Sequence, residues 1–524
     1  MGNVQRMSPV VKLRNTPLPA PKAGISGHFF VLLQVLGCML LNMSPPVDSH
    51  AQASWSVTFK GIGTFSSPRI ADLNGDGTGD VIFGAGREEF KACDSAVIAL
   101  DGANGRMLWH VDATDQIFGS PSFLDINGDN VKDIFIGGRS AELFAIDGKT
   151  GKTLWKFDKK KGKQKWFNFY HPQFIRDLDQ DGHEDILISN GGNVMAEPYS
   201  ERKRYPGQLV VISSRDGRVL AQAPMPDKKE TYMSVSALPL DGGDDYRIIF
   251  GTGGETIGGN LYVTTLSAVL SGDLSQAVLL DSSPDKGYIG PAAWVDITGD
   301  TFPDIIANAV EGKLVAFDGV TYERIWSVKI PNSEAYSSIA PGYFNADSTP
   351  DFFVSYAIGQ WPKLEWSKQV MVDGASGDIA YIDSLGFYQT STPVIADLDG
   401  DGRDEALLSV NIHIYDERNR RALYNMVVSI DFDANEVNQI TEPVKGSNIS
   451  STPWIGDLDN DNFLDIIYCH TTNTEKSYTF DGMQVNRIST QIPIRESIAW
   501  GSYMGSNYDG IFLDSRPAVE SPRH

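Results

Sequence analysis

Short apolar runs set between acidic turns recur along the chain from Trp55 to about residue 510. Val81-Ile82-Phe83, Ile134-Phe135-Ile136 and Ile186-Leu187-Ile188 each follow a loop rich in Asp and Asn. Branched and aromatic residues in runs this short predict β-strands. A second pattern comes next in each unit: VIALDGANGRMLWHV (97–111), LFAIDGKTGKTLWKF (143–157), LVAFDGVTYERIWSV (314–328) and VMVDGASGDIAYI (370–382). Weaker copies lie at 209–220, 261–280, 427–437 and 478–488. Asp-Gly places a tight turn between two strands. One unit is therefore strand a, acidic loop, strand b, connection, strand c, tight turn and strand d. Eight such units are predicted, and units of this period repeated radially form an all-β propeller. Trp55-Ser56-Val57-Thr58-Phe59 has the pattern of a lone strand d. It is expected to complete the last blade and close the ring, which removes free sheet edges.

The acidic loops carry the candidate chemistry. Their oxygen ligands would be Asp72, Asn74, Asp76 and Asp80; Asp125, Asn127, Asp129 and Asp133; Asp177, Asp179, Asp181 and Asp185. The later loops supply Asp296, Asp300 and Asp304; Asp397, Asp399, Asp401 and Glu405; and Asp457, Asp459, Asp461 and Asp465. Hard oxygens at alternate positions of a tight loop suit Ca²⁺. About six calcium sites are expected, in a structural role. Thr298 weakens the loop at 296–304, Tyr343 removes the first ligand of another, and the loop near Asp241 is degraded. No EF-hand is expected, because a strand follows each loop and no Glu stands at its twelfth position.

Composition narrows the class. Asp and Glu outnumber Lys and Arg 67 to 44, giving a formal charge of −23. Such a surface disfavours nucleic acid as a partner. Three cysteines are too few for a disulfide-built scaffold. Residues 1–53 are read as a signal peptide with a long basic n-region, an apolar stretch from Phe29 to Leu41 and an Ala51-Gln52-Ala53 cleavage site. A lipoprotein anchored through Cys38 and an uncleaved anchor are the alternatives. Every one of these readings exports the chain, and no later segment is apolar enough to span a membrane. The propeller is assigned to 54–510 and a tail to 511–524, and the protein is expected to be monomeric. Cys93 and Cys469 fall in blades that ring closure makes neighbours, so a disulfide between them is expected as a hypothesis.

The D-L-D-G-D-G-x-x-D loop after a short apolar strand resembles the FG-GAP/VCBS repeat of integrin α-chain propellers and many secreted bacterial proteins. The A-x-D-G-x-T-G-x-x-L-W hairpin resembles the PQQ-like (BamB-type) propeller repeat. These resemblances cover nearly all of 54–510. They imply an extracytoplasmic calcium-bearing propeller used for binding or adhesion, or as a module in carbohydrate-active systems. They imply no catalytic residue, and no quinone cofactor (PQQ) is expected, since neither a vicinal cysteine pair nor a haem motif is present.

In a four-stranded meander the a–b and c–d turns share one face, and the b–c and d–a connections share the other. The second face collects basic and aromatic residues at 158–171, 193–206, 359–368 and 411–424. Candidates there are Trp166, Tyr170, His171, Arg202, Arg204, Trp361, Trp366 and Arg420, with Lys159, Lys160 and Lys161 nearby. Such groups suit an acidic glycan: cations for carboxylate or sulfate, aromatic rings for sugar faces. The blander alternative is loop packing. The expected function is binding or adhesion to an extracellular protein or glycan. One rival is a polysaccharide lyase using His171 or Tyr170, and another is an envelope assembly scaffold. His110, His183, His413 and His470 are weaker candidates for a base. The glycine-rich stretch 251–259 lacks a following helix and is read as a connection, with no nucleotide site.

Overall fold

A computed structural model describes residues 54–513, apart from 161–164, 241, 362, 388–390 and 478. The leader through residue 53 with Cys38, the residues Lys161 and Asp241, and the tail beyond 513 lie outside the described residues. Eight antiparallel sheets follow one another in sequence, the first seven built on four successive strands each. In blade 1 strands a to d are Arg69–Ala71, Asp80–Gly84, Cys93–Leu100 and Met107–Ala113. Blade 8 contains Trp454–Gly456, Phe463–Thr471 and Gly482–Pro493, and its outer strand is the N-terminal Trp55–Lys60. Trp55 pairs with Arg487 and Lys60 with Gly482, so the two ends of the chain close the ring.

Strand b is buried along its whole length in blades 1, 2 and 3, because both faces of each sheet are covered by neighbouring blades. Strand d is half exposed, and in blades 1, 2 and 5 it buries a tryptophan: Trp109, Trp155 and Trp326. These indoles explain the paired sequence motifs. Trp109 Nε1 donates to the carbonyl of Gly148 in the next blade's tight turn at 2.7 Å. Trp55, Trp155 and Trp326 repeat the contact on Gly102, Ser214 and Gly374. The amide of Gly148 in turn donates to Asp133 Oδ1, the last residue of that blade's acidic loop. A Cβ on Gly148 would lie 1.9 Å from the Lys132 carbonyl, and Gly151 has φ of 71° with the Trp109 ring against it. Both turn positions therefore require glycine. Loop, turn and tryptophan form one connected device that holds a blade to its neighbour.

Three departures from the regular unit matter. In blade 4 the short helix Leu266–Ser271 occupies the c–d connection and packs on blade 3. In blades 6 and 7 strands b and c extend into long hairpins, Asp351–Gln360 with Lys363–Val372 and Glu405–Tyr415 with Arg421–Asp431. The stretches 359–368 and 411–424, expected as connections, are thus mostly strand.

The third departure is the segment 494–513, which runs across the ring axis. Ile395 of blade 7 donates to the Trp500 carbonyl, Ile455 of blade 8 to Gly501, and Trp294 of blade 5 to Gly510. Ser236 of blade 4 bonds Asp509, and Gln173 of blade 3 bonds Tyr508. Tyr343 of blade 6 and Phe123 of blade 2 pack on Phe512 and Tyr508, while Arg69 of blade 1 lies 4.0 Å over the Tyr508 ring. Every blade therefore touches this segment.

Candidate functional site

The innermost strand of most blades is preceded by a buried hydroxyl or its substitute, and these residues form a belt around the axis. Ser338 N–H donates to Thr392 Oγ1, Thr392 to Thr452, Thr452 to Ser67, and Ser67 to Ser120. Each bond joins one blade to the next. Proline follows at Pro68, Pro121, Pro393 and Pro453. Blade 3 has His171-Pro172 in this slot. His171 is buried and contacts Arg69, the Ser120 carbonyl and the Tyr508 carbonyl. Burial first, and the Arg69 charge second, drive its pKa well below the ordinary histidine value. The expectation of His171 as a base on an open face is corrected: it is a neutral member of the belt, tied into the axis.

Above the belt a funnel of about 820 Å³ opens on the face of the b–c and d–a connections. Ser67, Ser120, His171, Ser234, Thr392 and Tyr503 form its floor. The d–a connections line its wall with Phe65, Phe118, Tyr170, Tyr232 and Tyr336, and the b–c connections add Tyr199, Trp361 and Phe480. Four of these rings, at 65, 118, 232 and 336, stand two residues before their blade's belt residue. That spacing is a sequence signal for the wall that the loop-composition reading passed over.

The predicted ligand residues divide. Tyr170, His171, Arg204 and Trp361 reach the funnel. Trp166 packs against Phe157 and Phe169 with the core of blades 2 and 3. Trp366 lies on strand c of blade 6, paired with Phe387. Arg420 is exposed at the tip of the blade 7 hairpin and ion-paired with Asp416, and Arg202 is exposed outside the funnel lining. Burial raises the Tyr170 hydroxyl above its ordinary pKa, which leaves it a poor base. The remaining histidines offer no better one. His470 is buried against Gln484, and His413 is pushed down to about 4 by burial beside Phe387. His110 bonds the Asp94 carbonyl, and His183 stays in its acidic loop.

Among the described residues the expected basic face does not assemble in the funnel. Arg204 is ion-paired with buried Glu230, and Arg139 with Glu89 at 2.8 Å. Lys286 is held by Glu334 at 2.5 Å, and Lys159 by Glu142 at 3.2 Å. Glu230 and Glu334 also accept from Tyr232 and Tyr336, so the same carboxylate–tyrosine pair is built twice, in blades 4 and 6. Glu255 is exposed to the funnel, and its carboxylate makes no hydrogen bond or ion pair among the described residues. The surrounding protein and nearby Glu334 raise its carboxyl above the ordinary range, against the pull of Lys286.

On the opposite face the acidic loops fold alike. At Asp72, Asp125, Asp177, Asp296 and Asp397 the first Asp accepts amides three and five residues on, as Asp125 does from Gly128 and Asn130. Three loops gather carboxylates closely: Asp177, Asp179 and Asp185; Asp397, Asp399 and Glu405; Asp457, Asp459 and Asp465. Burial, with Asp399 and other nearby carboxylates adding to it, raises Glu405 to about 8. In the loop at 457–465 a protein cation already fills part of the space. Arg487, fully buried, donates to Asp465 Oδ1 at 3.0 Å and to Asp459 Oδ2 at 2.5 Å. Arg487 thus shares Asp459 and Asp465 of the loop expected to hold calcium among Asp457, Asp459, Asp461 and Asp465. Cys93 and Cys469 are both free and buried in one apolar cluster, so the expected disulfide is not formed. Burial pushes the Cys469 thiol up to about 12.

Comparison with known proteins agrees with the architecture. The family model described as FAM234A/B beta-propeller matches residues 55–246. Human Protein FAM234B is 24% identical over 428 residues, covering 71% of this chain and 60% of that protein. Bovine Protein FAM234A is 26% identical over 198 residues, covering 33% and 36%. The chain thus matches less than two thirds of the length of these curated relatives. Among solved structures, the quinohemoprotein alcohol dehydrogenase ADHIIG from Pseudomonas putida HK5 superposes with a TM-score of 0.53 at 11% identity, covering 85% of this chain and 77% of that one. At that identity the likeness is one of fold. The chain is a single eight-bladed β-propeller, similar in sequence to the propeller of FAM234 proteins.

Proposed function

We propose that the protein is an exported binding module that holds an extracellular glycan or protein segment in the funnel. The observation that carries this reading is the funnel itself. It is a concave, aromatic-lined cavity with a floor closed by the belt and by the segment 494–513. Large concave pockets that combine apolar and aromatic side chains with placed polar groups are the usual form of a ligand site. Of the titratable groups around the funnel, His171 is committed to the belt and Arg204 and Lys286 to ion pairs. Among the described residues no helix is long and apolar enough to cross a membrane. Labelled protein on an array of neutral, acidic and amino glycans, together with capture of extracellular proteins, tests this reading. Binding lost in Phe118→Ala and Tyr232→Ala supports it. Binding untouched by both places the ligand elsewhere.

Calcium in the acidic loops belongs to the same proposal. The donor set at 177–185 fits a cation: Asp179 Oδ1 and Asp185 Oδ1 are buried with no hydrogen-bond partner. A bound ion would supply their missing charge and coordination. Asp177, Asp179 and Asp185 would hold it there, with Asp397, Asp399 and Glu405 as the corresponding set in blade 7. Its role would be to fix each a–b turn against the next blade.

A further inference from the structure

Among the described residues the charges around the funnel cancel in pairs, with one exception. Arg139 meets Glu89, Arg204 meets Glu230, Lys286 meets Glu334, and Glu88 meets Lys91. Glu255 is left over, open to the cavity. Its surroundings are aromatic. A Cβ on the preceding Gly254 would lie 2.9 Å from Tyr232 Cε2, so that ring sits against the backbone beside Glu255. Lys286 bridges from the Glu255 carbonyl to Glu334, whose other oxygen accepts from Tyr336 and from the Trp361 amide. Tyr232, Tyr336 and Trp361 therefore gather around the same stretch of wall.

An accessible carboxylate without a direct ion pair, set among aromatic faces, attracts a cation twice over. The carboxylate supplies Coulomb attraction, and the ring faces supply the cation–π term. An anionic ligand would meet Glu88, Glu89 and Glu255 at the lining, with no unpaired cation among the described lining residues. Resting on the reading of the funnel as a ligand site, we propose that its ligand presents a cationic amine, held by Glu255 among Tyr232, Tyr336 and Trp361. An amino sugar or another organic ammonium group has this chemistry, and a sulfated or uronic glycan does not.

The experiment is isothermal titration of the full-chain protein with amines and their neutral counterparts: glucosamine oligomers against N-acetylglucosamine oligomers of equal length, and choline against its uncharged carbon isostere. The amines should bind at least tenfold more tightly, and Glu255→Gln should abolish that preference while leaving the unfolding midpoint unchanged. A preference that survives Glu255→Gln overturns the assignment. Equal binding of charged and neutral probes removes the amine but leaves the funnel as a ligand site. No binding by any amine up to millimolar concentration also overturns the proposal.

Discussion

Replacing Arg487 by methionine is the sharpest test of how the ring is closed. The guanidinium is completely buried and lies between Asp459 and Asp465, which are themselves buried. It makes two bonds to Asp465, at 3.0 and 3.1 Å, one to Asp459 at 2.5 Å, and one across to the Gly102 carbonyl of blade 1 at 3.1 Å. Methionine fills much of the same volume but leaves two carboxylates facing each other without a cation. Removing one partner of a buried ion pair costs about 3–5 kcal/mol, a large share of the roughly 5–15 kcal/mol that holds a domain folded. Urea unfolding at pH 7 in chelator, followed by tryptophan fluorescence, measures the loss. Arg487→Lys should fall in between, because an ammonium keeps the charge but cannot fork between two carboxylates. Arg487→Met with Asp459→Asn should recover part of the loss by removing one stranded charge. Millimolar calcium should also recover part of it, since the emptied loop then presents the same trio of carboxylates as 177–185. Arg487→Met within about 1 kcal/mol of the native protein would refute the argument, because a stranded buried carboxylate pair must cost more than that.

Three further outcomes are expected. Trp326→Phe keeps the ring but strands the Gly374 carbonyl that the indole reaches at 2.8 Å, and should cost about 1–3 kcal/mol in denaturant unfolding. Glu142 is fully buried; against that burial, bonds and charges from Lys156, Thr114 and Lys159 hold its carboxyl below the ordinary range. Its contribution of about 1.5–3 kcal/mol is therefore present above the unfolded-state value and lost as pH falls through the folded one. The stability gap between native protein and Glu142→Gln should be flat near neutrality and close in acid, and a gap that widens in acid would contradict the assignment. Chelation should lower the thermal midpoint, and Asp185→Asn should remove one calcium equivalent from a titration. Coincident midpoints in calcium and chelator would exclude a structural ion.

The blade plan was readable because it is local. Each unit carries its own short strands, its own Asp-Gly turn and its own acidic loop, and Trp55–Phe59 matched a strand d that lacked partners within its own unit. The roles of individual side chains were not local and were misread. His171 looked available because its neighbours in sequence are aromatic, whereas its partners Arg69, Ser120 and Tyr508 come from blades 1 and 2 and the C-terminal segment. Arg204 and Lys159 looked like a basic surface until blades 4 and 2 supplied Glu230 and Glu142. Charged tips at Lys363 and Arg420 disguised two long hairpins as loops. The segment 494–513 carries no copy of the repeat, so nothing in its own pattern marked it as the piece that fills the axis.

That segment also fixes how the molecule is presented to its surroundings. Its described end, at Phe512 and Leu513, packs by Tyr343 at the start of a degraded acidic loop. The other end begins at Ser54 and Trp55, where Trp55 bonds the Asp-Gly turn of blade 1 and Ser54 bonds Ser489. Both ends of the described chain thus leave from the acidic-loop face, and the funnel opens on the other. A surface linkage made at Ser54 or Leu513 would leave the funnel's mouth facing solution.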